Sequence, residues 1–174
     1  MPTERVVQFN AGEETGRFFD ESSLSHEDQP RIVILMGGVA TGKTTIRRRH
    51  YSSGYVLVDA SEIFLNLSRG EFFEFPGPFA QLLDILGPLI ARRAISERRH
   101  IVTEIIGMEE KPLRLMMDAL VKAGYHIDLQ FLTCDVDESV RRNENRTDDS
   151  ISAFYSEPYH LRWLTEAISD EPDA

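Results

Sequence analysis

Residues 31–45 read RIVILMGGVATGKTT, and this stretch decides the fold. The five apolar residues 32–36 predict a buried strand, and a glycine-rich turn, a lysine and two threonines then open a helical pattern. The spacing Gly37-x4-Gly42-Lys43-Thr44 fits the P-loop, in which backbone N–H groups turn inward as a nest around a phosphate. The sequence therefore predicts a nucleotide-binding loop between a strand and a helix.

The side chains of this loop have distinct expected roles. Lys43 would reach the β- and γ-phosphates of ATP as a compact charge, and the Thr44 hydroxyl would take one position on a Mg²⁺. The helix that follows presents its positive dipole end to the phosphates. The predicted cofactor-binding residues are Gly37, Gly38, Val39, Ala40, Thr41, Gly42, Lys43, Thr44 and Thr45.

Length and composition indicate one domain. The chain has 174 residues, of which 41% are hydrophobic and 28% charged, so it is long enough to bury a core. A net charge of −10 argues against a general nucleic-acid or anionic-membrane surface. Cys134 is the only cysteine, residues 1–5 lack a signal-peptide core, and no apolar run nears the ~20 residues of a membrane span. We expect a cytoplasmic protein.

Strand and helix patterns alternate along the rest of the chain. Further strands are predicted at 55–58, 101–104 and 125–133, with helical patterns between them. This order predicts an α/β fold, with a parallel sheet of four or five strands and helices on both faces. The Gly87-Pro88 pair predicts a kink or break within one helix.

Two segments have no clear period. Residues 1–30 form a polar arm before a kinase-like domain at 31–174, and we expect the arm to be loosely held. Its apolar cluster, Phe18 and Phe19, leaves open that it folds over the nucleotide site. Residues 69–78 are rich in aromatic and turn-forming residues, and they predict either a substrate-side lid or a hydrophobic plug.

Carboxylates follow two of the predicted strands. Asp59 and Glu62 come after the second strand, and Glu104 ends the third. Ligands of open parallel sheets bind beyond the carboxyl ends of the strands, so these side chains should face the phosphate loop. Asp59 or Ser61 could cap a helix over residues 62–68, and capping does not exclude a role of Asp59 in catalysis. Three roles remain open for Glu104: it could position Mg²⁺, hold a substrate hydroxyl, or be a solvated residue at the strand end.

An arginine-rich helix follows the fourth strand. It carries Arg141, Arg142 and Arg146. Such a run is either a solvated face or a lid whose guanidinium groups neutralise charge on a transferred phosphoryl group.

Several of these motifs together resemble the zeta-toxin group of P-loop kinases. The resemblance covers residues 31–165 and includes the P-loop, Asp59, Glu104, Gly124-Tyr125 opening a strand, and Arg146 seven residues after Ser139. It implies use of ATP and Mg²⁺ to phosphorylate a UDP-activated amino sugar, and an antitoxin as protein partner. It also implies that Asp59 or Glu62 deprotonates the acceptor, that Glu104 positions it, and that Arg142 and Arg146 neutralise the transferred phosphoryl.

The sequence departs from this group at two places and from many small P-loop kinases at a third. Ser61 stands where the group has its second aspartate, the catalytic base. Ala40 stands where many small P-loop kinases have a glycine. A methyl group is tolerated at this position if its φ stays negative. No fifth strand is evident after the arginine-rich helix. Two other hypotheses remain: a nucleotide-binding protein without transfer activity that acts through a partner, and an ATPase or nucleoside-type kinase on the same scaffold.

Overall fold

The fold is built on a parallel four-stranded sheet with strand order β2-β3-β1-β4. The computed structural model describes residues 10–19, 29–69, 74–146 and 153–169. The strands are β1 (Arg31–Gly37), β2 (Val56–Leu57), β3 (Ile101–Ile105) and β4 (His126–Leu132). This arrangement confirms the predicted parallel α/β architecture. All the described carboxyl ends of the strands therefore lie at one edge, where the P-loop also begins.

Helices cover both faces of the sheet, as predicted. They are α1 (Ala11–Gly16), α2 (Lys43–His50), α3 (Ala60–Ser68), α4 (Ala80–Ser96), α5 (Glu110–Lys122), α6 (Val136–Glu144) and α7 (Ala153–Ser169). Ile32 and Ile34 of β1 point into the larger core under α4, α5 and α7. Val33 and Leu35 point to the other face, where Ile46 of α2 packs. A continuous apolar strand suits β1 because both of its faces are buried.

Helix α4 is continuous through Gly87-Pro88, so of the predicted kink or break the break does not occur. Gly87 lies against the indole of Trp163 on α7, and a Cβ there would stand 2.2 Å from the ring. The glycine thus serves close helix packing, which a sequence pattern does not distinguish from a helix breaker. None of the described helices combines the length and hydrophobicity that a membrane span requires.

The described part of the N-terminal arm packs on the domain. Residues 10–19 contain α1, and both Phe18 and Phe19 lie against the larger core. The guanidinium of Arg93 on α4 stacks 4.2 Å from the centre of the Phe19 ring. This part is therefore held by α4 and does not lie over the nucleotide site. The boundary at residue 30 stays a prediction, since 1–9 and 20–28 are outside the described ranges.

The aromatic loop also contacts the core. Phe75 and Phe79 make edge-to-face contacts with Phe64 of α3, with ring centroids 5.3 and 5.5 Å apart. These contacts favour the plug over the lid, although residues 70–73 of the loop lie outside the structure's description.

Candidate active site

The P-loop connects β1 to α2 and approaches the end of β4 closely. A Cβ on Gly37 would lie 2.4 Å from the carbonyl oxygen of Leu132, so this position requires glycine. Gly42 caps α2 with φ +95°. Ala40 has φ +58°, which contradicts the expected negative value. The loop takes its glycine-type conformation at Ala40 despite the methyl group, at a steric cost of ~1–2 kcal/mol.

Lys43 is buried inside this loop. Its ammonium group donates hydrogen bonds of 2.7 Å to the carbonyl oxygens of Gly37 and Gly38. Burial lowers the pKa of Lys43, and the nearby carboxylate of Glu104 partly opposes that effect. The loop therefore holds a cation at its centre, as phosphate binding requires.

Glu104 is the centre of a buried charge cluster. Its carboxylate accepts hydrogen bonds from the Thr44 hydroxyl at 2.8 Å and from Arg47 Nε at 2.5 Å. Arg47 also reaches Glu62, with 3.3 Å between Nη2 and Oε2. Burial raises the pKa of Glu104, and the neighbouring Asp59 raises it further, whereas Arg47 opposes both. Glu104 is thus not a solvated strand-end residue.

Arg47 was not identified from the sequence as a site residue. It belongs to a run of basic residues, 47–50, that reads as an ordinary helix end with favourable charge. Its position four residues after Lys43 places both side chains on one face of α2, and this spacing is the signal that could have identified it.

Asp59 is the N-cap of α3, as one of its two interpretations predicted. One carboxylate oxygen accepts from the backbone N–H groups of Ser61 at 2.8 Å and Glu62 at 3.2 Å, and from the Ser61 hydroxyl. Burial alone would raise its pKa, but His160, the Ser61 hydrogen bond and Arg47 together hold the pKa of Asp59 below its usual range. Its role in catalysis stays a prediction.

His160 of α7 is the other site residue that sequence reasoning missed. It is fully buried, and its Nε2 accepts a hydrogen bond of 2.6 Å from the backbone N–H of Ala60. The Nδ1 atom lies 3.2 Å from the carbonyl oxygen of Glu104, and Nε2 also lies 3.5 Å from a carboxylate oxygen of Asp59. His160 thus joins the start of α3 to the end of β3. A lone histidine far along the chain gives no sequence signal for this contact.

Helix α6 is fastened to the P-loop. The Ser139 hydroxyl donates to the carbonyl oxygen of Val39 at 2.6 Å. Arg142 pairs with Glu138 at 2.6 Å, and its Nη1 lies 3.5 Å from the carbonyl oxygen of Ala40. Arg146 follows the end of the helix and is close enough for its charge to lower the pKa of Lys43, a smaller effect than burial and Glu104. Arg142 and Arg146 thus face the nucleotide loop, whereas Arg141 is exposed.

One cavity of about 500 Å³ is lined by most of the predicted site residues. Gly37 and Gly38 do not line it and instead hold Lys43 through their carbonyl oxygens. Of the predicted residues, the cavity is lined by Val39, Ala40, Thr41, Gly42, Lys43, Thr44, Thr45, Asp59, Glu62, Glu104, Arg142 and Arg146. Cations and carboxylates from four separate parts of the sequence therefore share one space.

The oxygen atoms of this cavity suit Mg²⁺. Thr44 and Glu104 supply a hydroxyl and a carboxylate, the hard ligands that Mg²⁺ prefers. Within the described ranges, no three His, Cys, Asp or Glu side chains form a ready metal cluster. A Mg²⁺ that arrives with nucleotide phosphates needs only one or two protein oxygens, so these residues fit the ion.

Comparisons with known proteins bear on the fold. No family model matches the sequence, and no curated protein matches it. Among solved structures, the chain is similar to one from the PezAT chromosomal toxin–antitoxin system of the human pathogen Streptococcus pneumoniae, with a TM-score of 0.51 and 16% identity. The chain has a P-loop kinase-like fold. The likeness covers 77% of this chain and 60% of the solved one.

The likeness to this toxin–antitoxin structure confirms, for the fold, the resemblance drawn from the sequence. At 16% identity the likeness extends to the fold alone, and this chain spans less than two thirds of the solved chain.

Proposed function

We propose that this protein is an ATP-dependent phosphotransferase that moves the γ-phosphoryl group of ATP to a hydroxyl of a small molecule. The observation that carries the proposal is one cavity in which the P-loop, Glu62 and Glu104, and the guanidinium groups of Arg142 and Arg146 meet. Phosphoryl transfer needs a phosphate cradle, an acceptor-side base and cationic groups around the moving phosphoryl.

The P-loop side of the cavity would bind the nucleotide. Lys43 would exchange its two carbonyl partners for β- and γ-phosphate oxygens, and Thr44 would hold Mg²⁺. Bound Mg²⁺ supplies charge neutralisation at the β- and γ-phosphates. Arg142 and Arg146 would stabilise the charge on the transferred group, because a guanidinium bridges two oxygens at once.

Of the two candidate bases, Glu62 is the better placed to meet an acceptor. Its side chain is 31% exposed and lines the cavity. Asp59 is buried, and one of its oxygens already accepts three hydrogen bonds from the start of α3. Glu104, already held by Arg47 and Thr44, would orient the acceptor hydroxyl or the nucleotide-bound Mg²⁺.

The acceptor class and the partner come from the resemblance to zeta toxins. We infer that the acceptor is a UDP-activated amino sugar and that an antitoxin protein restrains the enzyme in the cytoplasm. The toxin–antitoxin origin of the similar solved structure supports the partner proposal.

Transfer of labelled phosphate from γ-labelled ATP tests the function. The wild-type chain with Mg²⁺ is offered UDP-sugars, nucleosides and small alcohols, and each product is identified by mass. Label is expected in a UDP-amino sugar and absent with Lys43→Ala, which should also lose ATP affinity by calorimetry while keeping its circular dichroism spectrum. ATP affinity that is unchanged in Lys43→Ala would refute the nucleotide-binding assignment. Label in nucleosides or in water would instead support a nucleoside-type kinase or an ATPase.

A catalytically reduced nucleotide-binding protein is the second candidate. Two observations favour it. Ser61 occupies the position at which zeta toxins have their catalytic base, and its hydroxyl donates a hydrogen bond to Asp59. Tight ATP binding by the wild-type chain without transfer to any acceptor would favour this function, with a partner protein as the recipient of the signal.

A further inference from the structure

The outer edge of β4 has no strand paired with it in the part of the chain that the structure describes. β4 pairs with β1 along all seven of its residues. The backbone N–H of His126 points to the β1 side, where it meets the carbonyl of Pro30 at 2.8 Å. Backbone groups alternate in direction along a strand, so Ile127, Leu129 and Phe131 direct their N–H and C=O groups to the open edge.

This edge lacks the usual protection against pairing. Its sequence, HIDLQFL, contains no proline, glycine, lysine or arginine. Natural edge strands are commonly protected by charged side chains, above all lysine, by proline, by bulges or by being short, and Asp128 is the one acidic residue of this strand. Two large apolar side chains are also in solvent here, since Leu129 is 42% and Phe131 65% exposed. A long, regular and apolar edge of this kind is a template for another strand.

We propose that two copies of this chain pair through β4, antiparallel about a two-fold axis at Leu129, to form one continuous sheet. In this register Leu129 lies opposite Leu129 of the partner subunit. Ile127 lies opposite Phe131 of the partner subunit on the same face. The outward-facing backbone groups of all three residues then exchange hydrogen bonds in pairs.

The other face of the paired strands is also complementary to itself. Asp128 would lie opposite Gln130 of the partner subunit. Within one chain the Gln130 amide nitrogen already donates to the Tyr51 hydroxyl at 2.6 Å and to Asp128 at 3.1 Å, so pairing would join the polar groups of both copies into one patch. No like charges stand opposite each other, which would destabilise the pair. A two-fold interface requires a patch that matches itself, and this strand fulfils that requirement on both faces. For this reason a second copy fits the edge better than an unrelated peptide.

The edge of β4 lies beside the proposed nucleotide cavity. Only Leu132, the last residue of the strand, lines that cavity. The proposal therefore does not depend on the proposed activity. Each chain carries a net charge of −10, so added salt should screen the repulsion between copies and strengthen the dimer.

Disulfide crosslinking tests the register directly. In a Cys134→Ser background, Leu129→Cys places two cysteines opposite each other with Cα atoms ~5.5 Å apart, within the range of a disulfide. We expect mild oxidation to give a covalent dimer. Phe131→Cys in the same background is the matched control: its two copies would stand four residues out of register, about 13 Å apart, and should not crosslink.

Light scattering after gel filtration measures the dimer without crosslinking. Wild type should be dimeric and Leu129→Lys monomeric, because two ammonium groups would face each other across the axis. Val121→Lys, on an equally open part of α5, should stay dimeric. Circular dichroism verifies that each variant folds. If Leu129→Lys does not fold, the crosslinking pattern alone tests the pairing of β4. A wild type that is monomeric at millimolar concentration, or equal crosslinking at 129 and 131, would overturn the proposal.

Discussion

The hydroxyl of Thr44 donates a hydrogen bond of 2.8 Å to the carboxylate of Glu104, which lies 60 positions further along the chain. This bond ties the first turn of α2 to the end of β3. The same carboxylate binds Arg47, so the P-loop helix reaches β3 through two side chains. The threonine proposed as a Mg²⁺ ligand is therefore already positioned by a carboxylate at the acceptor side of the cavity.

Replacing Thr44 by valine should weaken the binding of MgATP. Valine has nearly the same shape but no hydroxyl for the metal or for Glu104. We expect calorimetry to show a loss of MgATP affinity of about tenfold or more, with a much smaller change for ATP in EDTA. Thr44→Ser keeps the hydroxyl and should bind almost as wild type. Equal losses with and without Mg²⁺ would show that Thr44 does not hold the metal.

The two carboxylates of α3 should differ in their effect on turnover. Glu62→Gln should lower kcat by about 10²–10⁴ with ATP affinity nearly unchanged, because a general base acts only in the transition state. Asp59→Asn should lower kcat less, since its oxygen caps α3. A larger loss in Asp59→Asn would reverse the two roles, and no loss in either variant would exclude both as the base.

Asp59 should also contribute to stability in a pH-dependent way. Its pKa is lowered in the folded protein, so its contribution is present above the usual aspartate pKa of ~3.9 and is lost as pH falls below it. We expect Asp59→Asn to reduce the free energy of unfolding in urea by about 1 kcal/mol at pH 7 and by less near pH 3. Asp84→Asn breaks an exposed ion pair with Arg162 and should change little at either pH. A deficit in Asp59→Asn that does not depend on pH would contradict the lowered pKa.

Arg146 should be needed for turnover and not for ATP binding. A lysine keeps the charge but not the planar fork that holds two phosphoryl oxygens, so Arg146→Lys should lower kcat by ~10³ with ATP affinity changed only a few-fold. The matched control is Arg141→Lys, on the exposed side of α6 where Arg141 pairs with Glu138. Wild-type turnover in Arg146→Lys would mean that the residue is an ordinary solvated arginine.

Ala40→Gly should stabilise the fold. The left-handed backbone at φ +58° is strained for alanine and free of strain for glycine. Part of this gain is offset by the greater freedom of glycine in the unfolded chain, which leaves an increase of up to about 1 kcal/mol in the free energy of unfolding. Ala119→Gly, inside α5, should have the opposite sign. Destabilisation by Ala40→Gly would show that the loop relaxes to a negative φ in solution.

The sequence by itself determined the order of the elements and the nature of the loop. Residues 31–45 combine a β-branched run with a fixed glycine and lysine spacing, and both depend on neighbours within a few positions. The capping role of Asp59 could be predicted for the same reason. Local patterns also predicted that Glu104 would end a strand near the P-loop, because parallel strands with crossovers end at one edge.

Only the tertiary structure decided which partners the site residues have. His160 and Glu104 are 56 positions apart and Thr44 and Glu104 are 60, and no periodicity relates them. The positive φ of Ala40 occurs in the loop between β1 and α2, which approaches the end of β4 at Gly37. The contact between the Phe19 ring and the guanidinium of Arg93 likewise exists only when α4 is folded and packed against residues 10–19. Short-range steric effects and hydrophobic periodicity depend on residues that are neighbours in the sequence. The pairing of buried charges depends on distances that exist only after the chain has folded.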